Sequence, residues 1–463
     1  MNEHNDSYIH PKVLRALRIT GAALVLLTIF LVGKMAFTFC LGLFAEGDYV
    51  VRFPGQGSPV VAVSTQDESQ KISPHELAEI ARVEVAVAGD LMLQMPIVRN
   101  NNTPDGYIFD PVFYYIKPYI SAATYAIANL ETTLSGTDGI TYTDAPASNS
   151  PDSIAEAARI MGFDMLLTGN EHGLDYGLEG LQRTLRVLRE NELDTLGTVE
   201  NPTDPRHKIR TVGGINIGMA SYTFAQIGGD GGIILNGASA DADAAVHVNA
   251  FDYDYLSRFY TEVEGELSAM RAGGADVTVV FLHWGDAYSL HPSENQKAIA
   301  QKLCDLGVDV IIGSHPNVVQ PMELLRSSLN PDQTTICLYS VGNFLTNQKA
   351  KPAGIGTDHC EDGLIFRFTL AKLNDGSARV SGVSLMPTWT LVRGTGERQD
   401  FFVIPLDSSV VDWKEAYSLS DEELSGAKNS YNRTMAQVTS GMNQITTYLS
   451  DRNSLLDPTL GVG

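Results

Sequence analysis

The chain has 463 residues, 44% of them apolar, which is enough to fill a core and excludes a disordered protein. Its 32 Lys and Arg against 55 Asp and Glu leave a formal charge of −23, so it repels nucleic acid and anionic lipid rather than gathering them. Cys40, Cys304, Cys337 and Cys360 show no CxxC spacing, which argues against a zinc knuckle or a disulfide scaffold.

From Ile19 to Ala45 the sequence is apolar apart from Lys34, and about 20 such residues cross a bilayer as a helix. Lys12, Arg15 and Arg18 precede it, which by the positive-inside rule leaves the N-terminus cytoplasmic and the bulk of the chain outside. The expectation is a single-pass protein of the cell membrane with its main domain extracellular. A cleaved signal peptide is the alternative, although the stretch is long for one and lacks a clear small-x-small cleavage site. Lys34 is costly at mid-membrane, which leaves room for the apolar segment to slide to either side of it.

Residues 46–80 are polar and rich in Gly, Ser and Gln, as a tether would be. Apolar runs of strand length then alternate with helical spacing, which predicts an α/β domain with a largely buried sheet. Gly177–Asn191 reads as one helix, with Leu178, Leu181, Leu185 and Leu188 on a stripe, and Ser293–Gly307 as another, carrying Ile299, Leu303 and Leu306. Between Gly228 and Asn249 the composition turns to Gly, Ala and Asp and suggests an excursion loop. Beyond Asp407 the chain is polar, with a helix announced by Ser420 and Glu423 as a capping box.

The informative pattern lies where the apolar runs end. "VEVAVAGD" stops on Asp90, "YAIANLE" on Asn129 and Glu131, and "FDMLLTGNEH" on Asn170, Glu171 and His172. "VTVVFLHWG" stops on His283, "VDVIIGSH" on His315 with Asn317 two places on, and "TICLYSVGNF" on Asn343. Ligands of open α/β sheets bind beyond the carboxyl ends of strands, so these residues are candidates for one pocket. Asp, Glu, Asn and His together form the ligand set of zinc, manganese or iron, and the expected cofactor is one or two such divalent ions. Each residue alone has a plainer reading: Gly89-Asp90 and Gly342-Asn343 as turns, Asp175 as the cap of the helix from Gly177, Trp284 as packing. Recurrence at six places is what favours a metal.

The segments "VAGDLML", "AIANLETTLSG", "GNEHGLDYG", "LHWG", "GVDVIIGSHPNVVQPMEL" and "LYSVGNF", with Pro292 and Gln296 spaced between them, resemble the CapA family of poly-γ-glutamate capsule synthesis proteins, which are related to calcineurin-like metallophosphoesterases. The resemblance runs from Ala81 to Leu406. It implies a four-layered αββα sandwich, a metal centre at one edge of the sheets, and a role with an anionic surface polymer or its precursor beside a membrane synthase or export complex. By that likeness Asp90, Glu131, Asn170, Glu171, His283 and His315 are metal ligands, His172 is catalytic, and Asn129, Asp175, Trp284, Asn317 and Asn343 complete the pocket. It departs from the family pattern in having Glu171 for an amide, Asn317 for an imidazole, Ala287 for a Glu and Ser148 for an aromatic. These departures suggest a single-metal site, or a non-catalytic partner of the synthase. The expected division is a cytoplasmic tail 1–18, a span 19–45, an extracellular linker 46–80, a domain 81–407 and a polar helical tail 408–463.

Overall fold

Val83, Val85 and Val87 leave one side of the strand Glu79–Leu91 and Ala86 and Ala88 the other, and both sets are buried. A strand covered on both faces belongs inside a layered structure. The layers are seen in the computed structural model, which describes residues 77–349, 356–396 and 398–456.

Two sheets dominate. The first has eight strands; the order along its path is Arg398–Pro405, Ala378–Thr395, Asp362–Leu373, Glu79–Leu91, Tyr125–Leu130, Met165–Leu167 and Asp194–Leu196, and the short strand Asn343–Leu345 also pairs with Glu79–Leu91. The second has seven, running Ala250–Phe251, Ile215–Phe224, Val277–His283, Val310–Ser314, Thr334–Leu338 and Met322–Arg326, with His207–Val212 beside Ile215–Phe224. Val85, Ile127 and Met165 from the first sheet share one apolar cluster with Ile217, Val279 and Ile312 from the second. The outer face of the first sheet is covered by Ile154, Ala155 and Ala158 of the helix Ser153–Met161. Phe259, Val263 and Leu267 of the helix Leu256–Ala272, with Ile299 and Leu303 of Glu294–Asp305, cover the second. The result is a mixed α/β sandwich. Each large apolar side chain buried between these layers contributes about 1.5–3 kcal/mol relative to exposure.

The strands Glu79–Leu91, Tyr125–Leu130 and Met165–Leu167 are mutually parallel, as are Val277–His283 and Val310–Ser314, so their carboxyl ends can gather polar residues at one edge. Asn343 does not end a strand as the run "TICLYSVGNF" suggests. That run stops at Leu338, and Asn343 opens a new strand in the other sheet, in register with Asp90. The crossing is tight: a Cβ on Gly89 would lie 1.9 Å from Gly342 O, so only glycine fits there.

Two further segments differ from their sequence reading. Within 228–249 the chain is not an irregular excursion; Gln226–Ile227, Ile233–Leu235 and Ala238–Ala240 form a three-stranded sheet. Its hairpin turns on Asn236 and Gly237, both at positive φ, and Ile233 and Leu235 pack against Leu181 and Leu185 of the helix Gly177–Glu190. The stretch after 407 does form a helix, Asp421–Asn453, with the Ser420–Glu423 capping box in place. It is also packed. Ala427, Ser430, Thr434, Val438, Gly441, Ile445 and Leu449 are buried at helical spacing, and Val438, Ile445 and Leu449 join the cluster between the sheets. Arg433 adds a two-pronged pair to the buried Asp362, at 2.7 and 2.8 Å. Among the described residues no helix is long and apolar enough to cross a membrane; the expected span 19–45 and most of the linker lie outside them.

Candidate metal centre

The first sheet brings carboxylates. Asp90 is the penultimate residue of its strand, fully buried, and its Oδ1 accepts from Asn129 Nδ2 at 2.8 Å. Asn129 Nδ2 also lies 3.4 Å from Glu131 Oε2, so one amide bridges two buried acids. Burial, opposed by these hydrogen bonds, pushes the Asp90 carboxyl up to about 6. Glu131 is driven well above the ordinary range by burial and then by the charge of Asp90. Its Oε1 is buried with no hydrogen-bond partner.

The second sheet brings imidazoles. His283 ends its strand with Nδ1 3.0 Å from Ser314 Oγ, and its Nε2 lies 3.3 Å from His315 Nδ1. Burial first, then the facing His315 and His172, pushes His283 well below the usual histidine value, so it stays neutral with a lone pair to offer. His315 adopts φ 92 and Asn317 φ 59. Such backbone is uncommon for a residue other than glycine and costs of order 1–3 kcal/mol, so neighbours must hold it. They do: Tyr288 N donates to Pro316 O at 2.7 Å, Asn317 Nδ2 donates to His315 O at 3.0 Å, and His315 N reaches towards Asp90 Oδ2 at 3.5 Å. The strand stops where it does because the chain must turn His315 back towards the first sheet.

Glu171 joins the two halves. Its Oε2 lies 3.3 Å from His315 Nδ1 and its Oε1 3.9 Å from His172 Nε2. Three overlapping sets each bring donor atoms within 4.8 Å of one another: Glu171, His283 and His315; Asp90, Glu131 and His283; Glu131, Glu171 and His172. Two ring nitrogens 3.3 Å apart match the roughly 3.4 Å edge of a tetrahedron with bonds of about 2.1 Å. Neutral imidazole, buried carboxylates and an unpartnered carboxylate oxygen form a donor set that suits a divalent cation.

The remaining candidates take other parts. Asn170 has its amide engaged on both sides: Nδ2 donates to Asn129 Oδ1 and Leu130 O, and Oδ1 accepts from His172 N. It braces the loop rather than presenting a free oxygen as a ligand. Asp175 is not the cap of the following helix, which has no side-chain cap; its Oδ2 accepts from Ser148 N and lies 2.6 Å from His172 Nδ1. With Nδ1 so held, Nε2 of His172 faces the carboxylates. Burial acts against a charged His172, but the Asp175 hydrogen bond and the charges of Asp175, Glu171 and Asp90 outweigh it and set its pKa above the usual value. Trp284 lies in the core, stacked on Tyr339 and donating to Tyr339 O at 3.0 Å, so it packs beneath the pocket without lining it.

A cavity of about 350 Å³ opens over Glu171, His283 and His315. Its other wall is Phe224, Gln226, Ile234 and Asn236, which reading the sequence as strand ends did not reach. Asn236, at the hairpin tip, donates to Pro146 O at 3.2 Å and lies 3.4 Å from His172 Nδ1. The dipeptide Asn236-Gly237 between apolar runs was the available signal for that hairpin.

A family model described as "Bacterial capsule synthesis protein PGA_cap" matches residues 84–348, which contain every residue of this centre. The chain belongs to that family. Over 310 residues it is 26% identical to the capsule biosynthesis protein CapA of Bacillus anthracis, covering 65% of this chain and 70% of that protein. Over 281 residues it is 26% identical to the PGA biosynthesis protein CapA of Bacillus subtilis (strain 168), covering 60% and 65%. The strands from Asp362 onward and the C-terminal helix of this PGA_cap member lie beyond the family match.

Proposed function

We propose that the chain is a membrane-anchored protein of surface-polymer biosynthesis, acting outside the cell on an anionic polymer of the poly-γ-glutamate type or its precursor, in company with a membrane synthase or export complex. Its centre is a divalent-cation-dependent, metallophosphoesterase-like site that cleaves or transfers a phosphoester or amide bond, set in a four-layered αββα sandwich. Membership of the PGA_cap family and the names of the two Bacillus relatives support the polymer. The observation that carries the site is the meeting of Asp90, Glu131, Glu171, His283 and His315, drawn from both sheets, around a carboxylate oxygen with no partner.

Asp90, Glu131, Glu171, His283 and His315 are the residues that would hold the cation. A bound divalent ion of the Mn, Zn or Fe kind supplies Lewis acidity to a phosphoryl or acyl oxygen and brings the pKa of water towards neutrality. The chain's own groups do the rest. Ser314 fixes the ring of His283, and Asn129 and Asn170 hold the carboxylate loops in place. Asp175 orients His172 so that Nε2 can hold or release a proton at the cavity.

A second reading, a scaffold that keeps the fold without turnover, draws on the departures from the family pattern. Ala287 offers no carboxylate, and Ser148 Oγ is tied to Thr132 Oγ1 at 2.8 Å. One experiment separates the two: replace the chromosomal copy with His283→Ala and, in parallel, delete it, then measure cell-surface anionic polymer. Loss of polymer in both strains, with the variant protein present at normal level, is the expected result. Normal polymer with His283→Ala and none in the deletion would favour the scaffold.

A further inference from the structure

Two carboxamides beside the Asp90 end of the site are fixed in orientation with their oxygens unused. Asn317 Nδ2 donates to His315 O at 3.0 Å; Asn343 Nδ2 faces Cys360 O at 2.9 Å and Asn317 O and Gln348 Oε1 at 3.3 Å. Turning either amide over would set oxygen against oxygen, so the position of each Oδ1 is determined as well. Both Oδ1 atoms are buried and accept no hydrogen bond, as is Glu131 Oε1. Asn343 is in register with Asp90, and Asn317 belongs to the loop whose His315 N approaches Asp90 Oδ2. Three buried acceptors without donors, on segments that meet at Asp90, each call for an electropositive partner.

Resting on the reading of this centre as a divalent-cation site, we infer that Asn317 and Asn343 make its Asp90–Glu131 end an oxygen-rich subsite for a hard cation of the Mn²⁺ or Mg²⁺ class, with Asn317 setting selectivity against zinc. Carboxylate and carboxamide oxygens suit hard ions with many ligands, whereas zinc gains more from imidazole. His283 is shared by the two ends, and His315 stands with Glu171 at the other, so the Asp90–Glu131 end has one imidazole among its oxygens. Asn317 is then a change of ligand type, not the loss of a ligand. Its φ of 59 is one that histidine also tolerates, so an imidazole can be placed there without new backbone strain.

The test uses the full chain stripped of metal, with Mn²⁺ and Zn²⁺ affinities measured by equilibrium dialysis for the wild type, Asn317→His and Asn317→Gly. Asn317→His is expected to shift the ratio of the two dissociation constants towards zinc by at least about tenfold, which is 1.4 kcal/mol. Asn317→Gly keeps the positive φ and removes the oxygen together with the Nδ2 bond to His315 O; it is expected to weaken Mn²⁺ at least about tenfold and Zn²⁺ less, with the metal-free melting temperature lowered by no more than that one lost hydrogen bond. Both ions binding with an unchanged ratio and an unchanged Mn²⁺ affinity would overturn the role of Asn317 and leave the cation centre standing. Neither ion binding the wild type would overturn the centre itself.

Discussion

Asp90→Asn should strengthen the metal-free fold while removing its response to metal. Asp90 titrates at about 6 in the folded chain against an ordinary 3.8, with burial as the chief cause. A carboxyl whose folded value lies above its unfolded one favours folding fully below about pH 4, and that contribution is lost as pH rises through about 6. Two units at 1.36 kcal/mol each make the charged form about 3 kcal/mol less favourable at pH 7 than a neutral group there. Asparagine keeps an oxygen for Asn129 but turns an amide towards His315 N, a loss of about 1 kcal/mol. The net gain is about 2 kcal/mol. At roughly 2 cal/mol/K per residue, a domain of this size should melt about 2–3 °C higher. With Mn²⁺ at a hundred times its dissociation constant the wild type gains about 2.7 kcal/mol, and the variant should gain little of it. Thermal denaturation at pH 7 and pH 4.5, with and without Mn²⁺, reads both effects. A metal-free variant that melts lower than wild type at pH 7, or one that gains the full Mn²⁺ increment, would refute the reasoning.

Arg433→Met leaves Asp362, held at about 6 by burial against the opposing pull of Arg433, without its counter-charge; urea unfolding at pH 8 should show a loss of about 3–5 kcal/mol that shrinks as pH falls towards 6, because the unpaired carboxyl takes up its proton at a higher pH than the paired one. A loss under 1 kcal/mol at pH 8 would mean the C-terminal helix is not anchored there. Gly441→Ala would put a Cβ 1.9 Å from Met322 O, so about 1–3 kcal/mol should be lost in the same assay, and an unchanged midpoint would contradict the packing of that helix on the sheet. Asp175→Asn removes the charged partner that raises His172, so the ring's NMR titration midpoint should fall; no movement would show that Asp175 does not control it.

Much of the site was legible because the apolar runs are unbroken and their polar ends are not. Asp90, Glu131, His283 and His315 each come after residues buried on both faces, and parallel pairing delivers those ends to one edge. Roles decided by hydrogen bonds were harder to read. Asn170 reads as a strand-end ligand and Asp175 as a helix cap, yet one braces backbone and the other holds His172, and no spacing encodes either role. The crossing at Gly342–Asn343 was hidden because a change of sheet leaves an apolar run looking continuous. The C-terminal helix read as a polar tail because its buried stripe includes Ala427, Ser430, Thr434 and Gly441, small enough for close approach and not apolar enough to stand out. The hairpin at 226–240 was obscured by its glycines, although Asn236-Gly237 marks its turn.

The most direct measurement is an anomalous difference map at the manganese edge, from crystals of the protein grown with Mn²⁺. The geometry of the two sheets predicts a peak bounded by Asp90, Glu131 and His283. A map with no peak among those three residues, or with manganese bound only elsewhere on the acidic surface, would contradict the claim that the two sheets meet to hold a divalent ion.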